Sequence, residues 1–266
     1  MVFAAGRECF SLPDCILLKL RDIVKIAENA GILRGNGVMM KKEDYELVEN
    51  YMLSCMEDSA HDKEHIYRVL YHALDIAKTE QGVDFDILIS ACLLHDIGRK
   101  EQFTDPAVCH AAAGAEKAYA FLTAHGFAER FAGAVRDCIR THRFRKCAPP
   151  QSIEAKILFD ADKVDVTGAV GIARTLVYKG EVAEPLYTLR EDGRVSDGTG
   201  DGQPSFLQEY KYKLEGIYSH FYTARGAEMA EERKEAAAAF YHALYKEADM
   251  AYKTGRKNLR DFVEGM

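Results

Sequence analysis

Apolar residues recur at three- and four-residue spacing along nearly the whole chain, and no segment alternates with period two, so the pattern predicts helix after helix. The expected helices span 13–31, 42–58, 63–80, 84–97, 110–125, 128–142, 152–166, 168–178, 205–222 and 226–253. Turn signals such as Gly35-Asn36-Gly37 and Pro149-Pro150 separate them. The economical fold class is all-α, a helical bundle.

Two stretches depart from the pattern. Residues 1–40 end in the turn-like run R-G-N-G-V-M-M-K-K, where Met39 or Met40 could start a shorter chain, so they read as an N-terminal helical extension or an alternative start. A single helical domain is expected over 41–255. Within it, 179–205 is rich in Gly, Asp and Pro with little hydrophobic periodicity, and reads as a flexible loop, either disordered or a lid. Asp197, Thr199, Asp201 and Gly202 imitate the first half of a calcium loop, but Gln208 stands where a bidentate Glu is needed, which favours a plain loop. The last fifty residues form an amphipathic packing element and a candidate homodimer surface.

At 266 residues, 48% hydrophobic and 29% charged, the chain can bury a proper core and has the composition of a soluble globular protein. No apolar run approaches the roughly 20 residues that span a bilayer, so no membrane partner is expected. Cys9, Cys15, Cys55, Cys92, Cys109, Cys138 and Cys147 form no C-x-x-C pair and are odd in number. They read as reduced thiols, and the expected compartment is the cytoplasm. A net charge of -7 argues against a broad nucleic-acid surface while leaving room for a local basic pocket.

The chemistry concentrates in three stretches: His65 in H-D-K-E-H-I-Y-R-V, His95 and Asp96 in L-L-H-D-I-G-R-K, and Asp162 in F-D-A-D-K-V-D. Helical spacing places each on an apolar stripe: His65 with Val69, Ala73 and Ile76, His95 with Leu88, Ala91 and Cys92, and Asp162 after Leu158. Inward carboxylates need partners, because an unpaired buried charge costs several kcal/mol. A divalent metal (Mn, Fe, Co, Ni, Zn or Mg) is one such partner, and hydrogen-bonded core histidines with paired aspartates are the bland alternative. His110 and His142 also point inward, as ligands of a second ion, phosphate contacts or core histidines. His61, His72, His125, His220 and His242 earn no special role. A basic collar of Arg68, Arg99, Lys100, Arg143, Arg145, Lys146 and Lys163 lies close by in sequence.

At these residues the chain resembles the HD-domain superfamily of metal-dependent phosphohydrolases, whose pattern is a His, an adjacent His-Asp and a distant Asp. It is most similar to the small bacterial HD hydrolases related to a nucleoside-triphosphate pyrophosphohydrolase, through the stretches above together with C-H-A-A-A-G-A, I-R-T-H-R-F-R, G-A-V-G-I-A-R and A-E-E-R, over about residues 45 to 245. The resemblance implies an HD-domain helical bundle with His65, His95, Asp96 and Asp162 as metal ligands. In two-metal branches a carboxylate commonly precedes the first His by one turn; here that place holds His61, with Asp62 beside it.

The expected reaction is hydrolysis at phosphorus, with a nucleoside triphosphate cut to monophosphate and pyrophosphate as the leading case. Asp96 and Lys100 are placed at the reacting centre, with Asp62 as proton acceptor or water-orienting residue. Arg68, Lys100, His110, His142, Arg143, Arg145 and Lys163 are the expected phosphate contacts. A nucleotidase or phosphodiesterase, a nucleotide-binding regulatory module without turnover, and a purely structural metal remain as alternatives.

Overall fold

The computed structural model describes residues 40–56, 63–143 and 149–265. The expected extension over 1–40 thus falls, but for Met40, outside the described residues. Within them the all-α expectation holds: no strand forms, and the one β-bridge, Leu189 to Val195, is isolated. In chain order the helices are α1 (Lys42–Met56), α2 (Lys63–Ala77), α3 (Phe85–Leu94), α4 (Arg99–Thr104), α5 (His110–Ala124), α6 (Glu129–Thr141), α7 (Ile153–Val164), α8 (Gly168–Glu181), α9 (Phe206–Glu209) and α10 (Ala224–Glu264).

Helix α3 is the centre of the bundle because it is apolar on almost every side. Leu88, Ala91, Cys92, Leu93 and Leu94 are all fully buried, each large aliphatic among them contributing about 1.5–3 kcal/mol of transfer free energy. Around it pack α1, α2, α6 and α7, while α2 also lies along α7 and α5 along α6. The start of α3 is fixed by Asp84, whose side chain accepts from the backbone of Asp86 and Ile87. Asp84 in turn donates its own N–H to Glu154 of α7 at 2.8 Å, tying the first turns of two core helices together.

Of the boundaries that differ from the sequence expectation, three matter most for the fold. The helix expected to reach residue 97 ends at Leu94, and the turn after it carries His95, Asp96 and Gly98 into the short α4, which the periodicity did not reveal. The helix expected over 205–222 is instead α9 followed by a π-turn over Tyr210–Leu214 and an irregular stretch. That stretch is held from outside: Asp160 of α7, itself fully buried, accepts from the N–H groups of Tyr222 and Thr223 and from the Thr223 hydroxyl. Thr223 then caps α10, which continues to Glu264, well past the expected residue 253.

Beyond the end of α8 the rest of the stretch 179–205 forms a loop that is anchored on the fold. Val195, Phe206 and Leu207 are buried in a small second core with Ile172 of α8, Tyr210, Leu214 and Tyr241 of α10. The carboxylates of the suspected calcium loop serve this structure. Asp201 accepts from Thr188 at 2.7 Å and Ser196 at 2.6 Å, and Asp197 accepts from Arg190 at 2.8 Å. Buried Lys179, at the end of α8, is paired with Glu184. Among the described residues no helix is long and apolar enough to cross a membrane.

Candidate metal centre

Four histidines and two carboxylates from five elements converge on one point. His65 comes from the first turn of α2, His95 and Asp96 from the turn that ends α3, His110 from the first residue of α5, His142 from the end of α6 and Asp162 from α7. The ring centroids of His65 and His95 lie 5.2 Å apart, those of His95 and His142 5.2 Å, and those of His142 and His110 5.4 Å.

Each ring is turned the same way. His95 Nδ1 lies 2.8 Å from the carbonyl of Cys92, and His142 Nδ1 lies 2.6 Å from that of Ile139. A carbonyl can only accept, so Nδ1 carries the proton and Nε2 presents its lone pair. His110 Nδ1 is 2.6 Å from Gln102 Oε1, and His65 Nδ1 is 2.8 Å from Asp165 Oδ2. All four Nε2 atoms therefore face the shared centre.

The ligand atoms divide into two trios, each within 4.8 Å: His65, His95 and Asp162 in one, Asp96, His110 and His142 in the other. Asp96 belongs to both in its geometry. Its Oδ2 is 3.6 Å from His65 Nε2 and 3.7 Å from His95 Nε2, whereas Oδ1 is 3.4 Å from His110 Nε2 and 3.7 Å from His142 Nε2. One carboxylate thus presents one oxygen to each trio.

The donor set fits divalent ions on evidence internal to the fold. His110 Nε2 and His142 Nε2 are buried without a hydrogen-bond partner, and Asp96 Oδ1 between them makes no hydrogen bond although it is ion-paired with Arg99 Nε at 3.0 Å. Orphaned buried acceptors of this kind are costly, and a cation satisfies several at once. Mixed imidazole and carboxylate ligation suits a first-row transition metal such as Mn, Fe, Co, Ni or Zn, with Mg as the hard-cation alternative.

The charge states are set by burial and neighbours. Burial pushes His95 down to about 4 and His110 down to about 3, so both are neutral at ordinary pH. Burial acts in the same sense on His65, but Asp162, Asp165 and Asp96 overcome it and lift that ring to about 10. Burial would raise Asp96; Arg99, His95 and His65 instead hold it well below the usual carboxylate range, and Asp162 is held down chiefly by His65. One consequence is measurable. An ion that takes His65 Nε2 must displace a proton, so below pH 10 affinity in this trio rises with pH by roughly tenfold per unit for a one-proton exchange. Titration calorimetry in buffers of different ionisation enthalpy is expected to show one proton released near pH 7.5; no release would contradict the protonated His65.

The site opens beside Asp162. Its side chain is 21% exposed, whereas the side chains of the other five candidate ligands are exposed by 5% or less. Near the centre stand Arg99, whose Nε is 3.0 Å from Asp96 Oδ1, and half-buried Arg143, whose charge helps to lower His110. Lys100 is exposed in the first turn of α4.

Other expected phosphate contacts are placed differently. Lys163 is turned to the carbonyls of Ser219 and His220, at 3.1 Å from the latter, and lies over the rings of Phe159 and Phe221. It pins the irregular stretch before α10 with two of its three donors. Arg68 donates to Asp165 through Nε at 2.7 Å. Asp62, His61, Arg145 and Lys146 lie outside the described residues.

Sequence reasoning missed Asp165, Arg174 and Gln102. For Asp165 a signal existed: Leu158, Asp162 and Asp165 follow one another by four and three residues, the same stripe that marked Asp162 as inward. Arg174 ends the stretch G-A-V-G-I-A-R without a pattern that points to a partner, and Gln102 carries no mark.

Residues 63–167 match the family model of the HD domain. The chain is 28% identical over 215 residues to YpgQ of Bacillus subtilis, covering 79% of this chain and 96% of that one. The crystal structure of B. subtilis YpgQ superposes with a TM-score of 0.61 at 27% identity over 79% of this chain and 97% of that one. An HD-superfamily hydrolase of Bacillus thuringiensis superposes with a TM-score of 0.59 at 27% identity, covering 78% and 98%. YpgQ has also been solved in complex with ADP; that chain is 26% identical over 77% of this one and 95% of its own length, with a TM-score of 0.59.

Proposed function

We propose, from the premise that the chain carries an HD domain over residues 63–167 in the fold of the HD-superfamily hydrolases, that the protein is a divalent-metal-dependent phosphohydrolase acting on a nucleotide. The observation that carries the proposal is the convergence of four imidazole Nε2 atoms on two carboxylates, with Nδ1 of every ring held by an acceptor. A divalent ion held there polarises a phosphoryl oxygen and lowers the pKa of water towards about 7.

The chain's own residues supply the rest. His65, His95, Asp96 and Asp162 form one ligand set, and Asp96, His110 and His142 form a second. Substrate approaches over Asp162, the one ligand left partly exposed. Arg99 and Arg143 add positive charge beside the ligands, and Lys100 extends that charge outward along α4, which suits the oxygens of a transferring phosphoryl group. Asp62 and Arg145 keep their proposed roles as water-orienting group and phosphate contact.

The ADP complex of YpgQ supports a nucleotide as the substrate class, since that relative shares the fold over nearly its whole length. Within the class the leading reaction is nucleoside triphosphate to monophosphate and pyrophosphate. The test is to strip the protein with a chelator, reload it with Mn, Mg, Co or Ni, and identify products from a nucleotide panel. Activity is expected to vanish on stripping and return on reloading, with pyrophosphate released from triphosphates. Orthophosphate from monophosphates would move the protein to the nucleotidases. Nucleotide binding without any phosphate product from the metal-loaded protein would establish a regulatory module and sink the enzyme reading.

A further inference from the structure

We infer that Asp165 is the positioning residue of the metal centre, orienting His65 through Nδ1 and anchored in turn by Arg68 and Arg174. The inference deepens the metal-centre reading above and rests on it. Asp165 follows the last residue of α7 and is fully buried. Its Oδ2 accepts from His65 Nδ1 at 2.8 Å and from Arg174 at 2.7 Å, and its Oδ1 accepts from Arg68 Nε at 2.7 Å. Arg68 makes a second bond to Oδ2 at 3.2 Å, and His72 Nε2 stands 3.9 Å from Oδ1.

Two features separate this carboxylate from an ordinary buried ion pair. First, α7 grips both edges of one imidazole. Asp162 Oδ1 lies 3.3 Å from His65 Nε2 and Asp165, three residues on, lies 2.8 Å from Nδ1. With Asp165 accepting the Nδ1 proton, Nε2 is the nitrogen left to bind an ion beside Asp162, the carboxylate–histidine–metal relay by which outer partners tune ligand basicity and orientation. Second, both Asp165 oxygens accept only from nitrogen donors. An amide in its place sets an NH2 group against at least one such donor in either orientation and removes the charge, so Asp165→Asn weakens the relay without changing the side chain's size.

The anchors explain how the relay stays charged. A carboxylate at zero exposure needs paired, hydrogen-bonding cations to remain ionised. Arg68 of α2 and Arg174 of α8 provide them, with side chains 30% and 31% exposed. Arg174 bonds to Asp165 and to none of the proposed ligands among the described residues, so its bonded route to the centre runs through Asp165.

The test is calorimetric titration of the chelator-stripped full chain with Mn and Zn. Asp165→Asn is expected to bind about 10–100-fold more weakly than the wild type, and Arg174→Gln to shift in the same direction by less. Asp160→Asn is the control, since Asp160 is a fully buried carboxylate on the same helix that caps α10 and makes no bond to His65. It is expected to lower Tm and leave metal affinity unchanged. Wild-type affinity in folded Asp165→Asn, or an equal loss in Asp160→Asn, would overturn the inference.

Should Asp165→Asn fail to fold, 15N spectra of the Zn-loaded wild type decide the question. A protonated Nδ1 and a metal-shifted Nε2 at His65 are expected, and the reverse assignment overturns it. Wild-type protein that binds no metal would remove the metal-centre reading itself, a result distinct from wild-type binding that Asp165→Asn leaves intact.

Discussion

Asp96→Asn is expected to leave a folded protein whose metal stoichiometry falls in both trios and whose hydrolytic rate drops by at least about 100-fold, the upper end of what loss of an outer partner alone costs. The magnitude follows from position. Among the six proposed ligands Asp96 presents one oxygen to His65 and His95 and the other to His110 and His142. Removing its charge weakens two ion sites with one atom. It also leaves Arg99, 3.0 Å from Oδ1, without its partner, adding uncompensated positive charge beside the vacated oxygen.

Far-UV circular dichroism with metal analysis separates the outcomes. Retained helix with lost metal and lost rate fits a catalytic centre, whereas unfolding in step with metal loss would favour a structural ion. His110→Ala provides the graded comparison, since it touches only the trio of Asp96, His110 and His142 and should spare ion binding by His65, His95 and Asp162. Equal loss from both trios in His110→Ala would contradict the division.

Gly98→Ala is expected to destabilise the fold by about 1–3 kcal/mol and to lower activity by more than the unfolded fraction explains. A Cβ on Gly98 would sit 2.2 Å from the backbone oxygen of His110 and 2.5 Å from the backbone nitrogen of Gly114. Backbone atoms cannot rotate out of the way, so α5 must retreat. Its φ of −93° is ordinary, which makes space and not backbone strain the cause. Because His110 is the first residue of α5, the retreat carries its Nε2 away from Asp96. Urea unfolding measures the first effect and metal stoichiometry the second; wild-type values for both would show that α5 tolerates the shift. The glycine of H-D-I-G thus acts on the centre through the approach of two helix ends.

Much of this centre was legible because helix periodicity is local. The stripes through His65, His95 and Asp162 marked buried faces from spacing alone, and His110 and His142 passed the same test. Gln102 and Arg174 were not legible, because each is marked only by the partner it meets across the fold: His110 in one case, Asp165 in the other. Lys163 shows the complementary effect. Its neighbour Asp162 faces the ligands, but one residue of helix rotates the side chain by roughly 100°, and Lys163 meets the carbonyls of Ser219 and His220 instead.

The stretch 179–205 shows the limit from the other side. Its few apolar residues carry no period, yet Val195 finds a core assembled by Ile172 and Tyr241 from far along the chain.

By itself, then, the sequence determined the helical class, the inward faces and the donor types that suit a divalent ion, since each depends on residues within a turn or two of one another. Only the tertiary structure decided that Asp96 divides its oxygens between two trios, that α7 grips both edges of His65, and that Lys163 meets the carbonyls of Ser219 and His220. Those facts depend on which helix ends approach within a few ångströms. That approach is set by close contacts such as Gly98 against His110 and Gly114, which no local periodicity encodes.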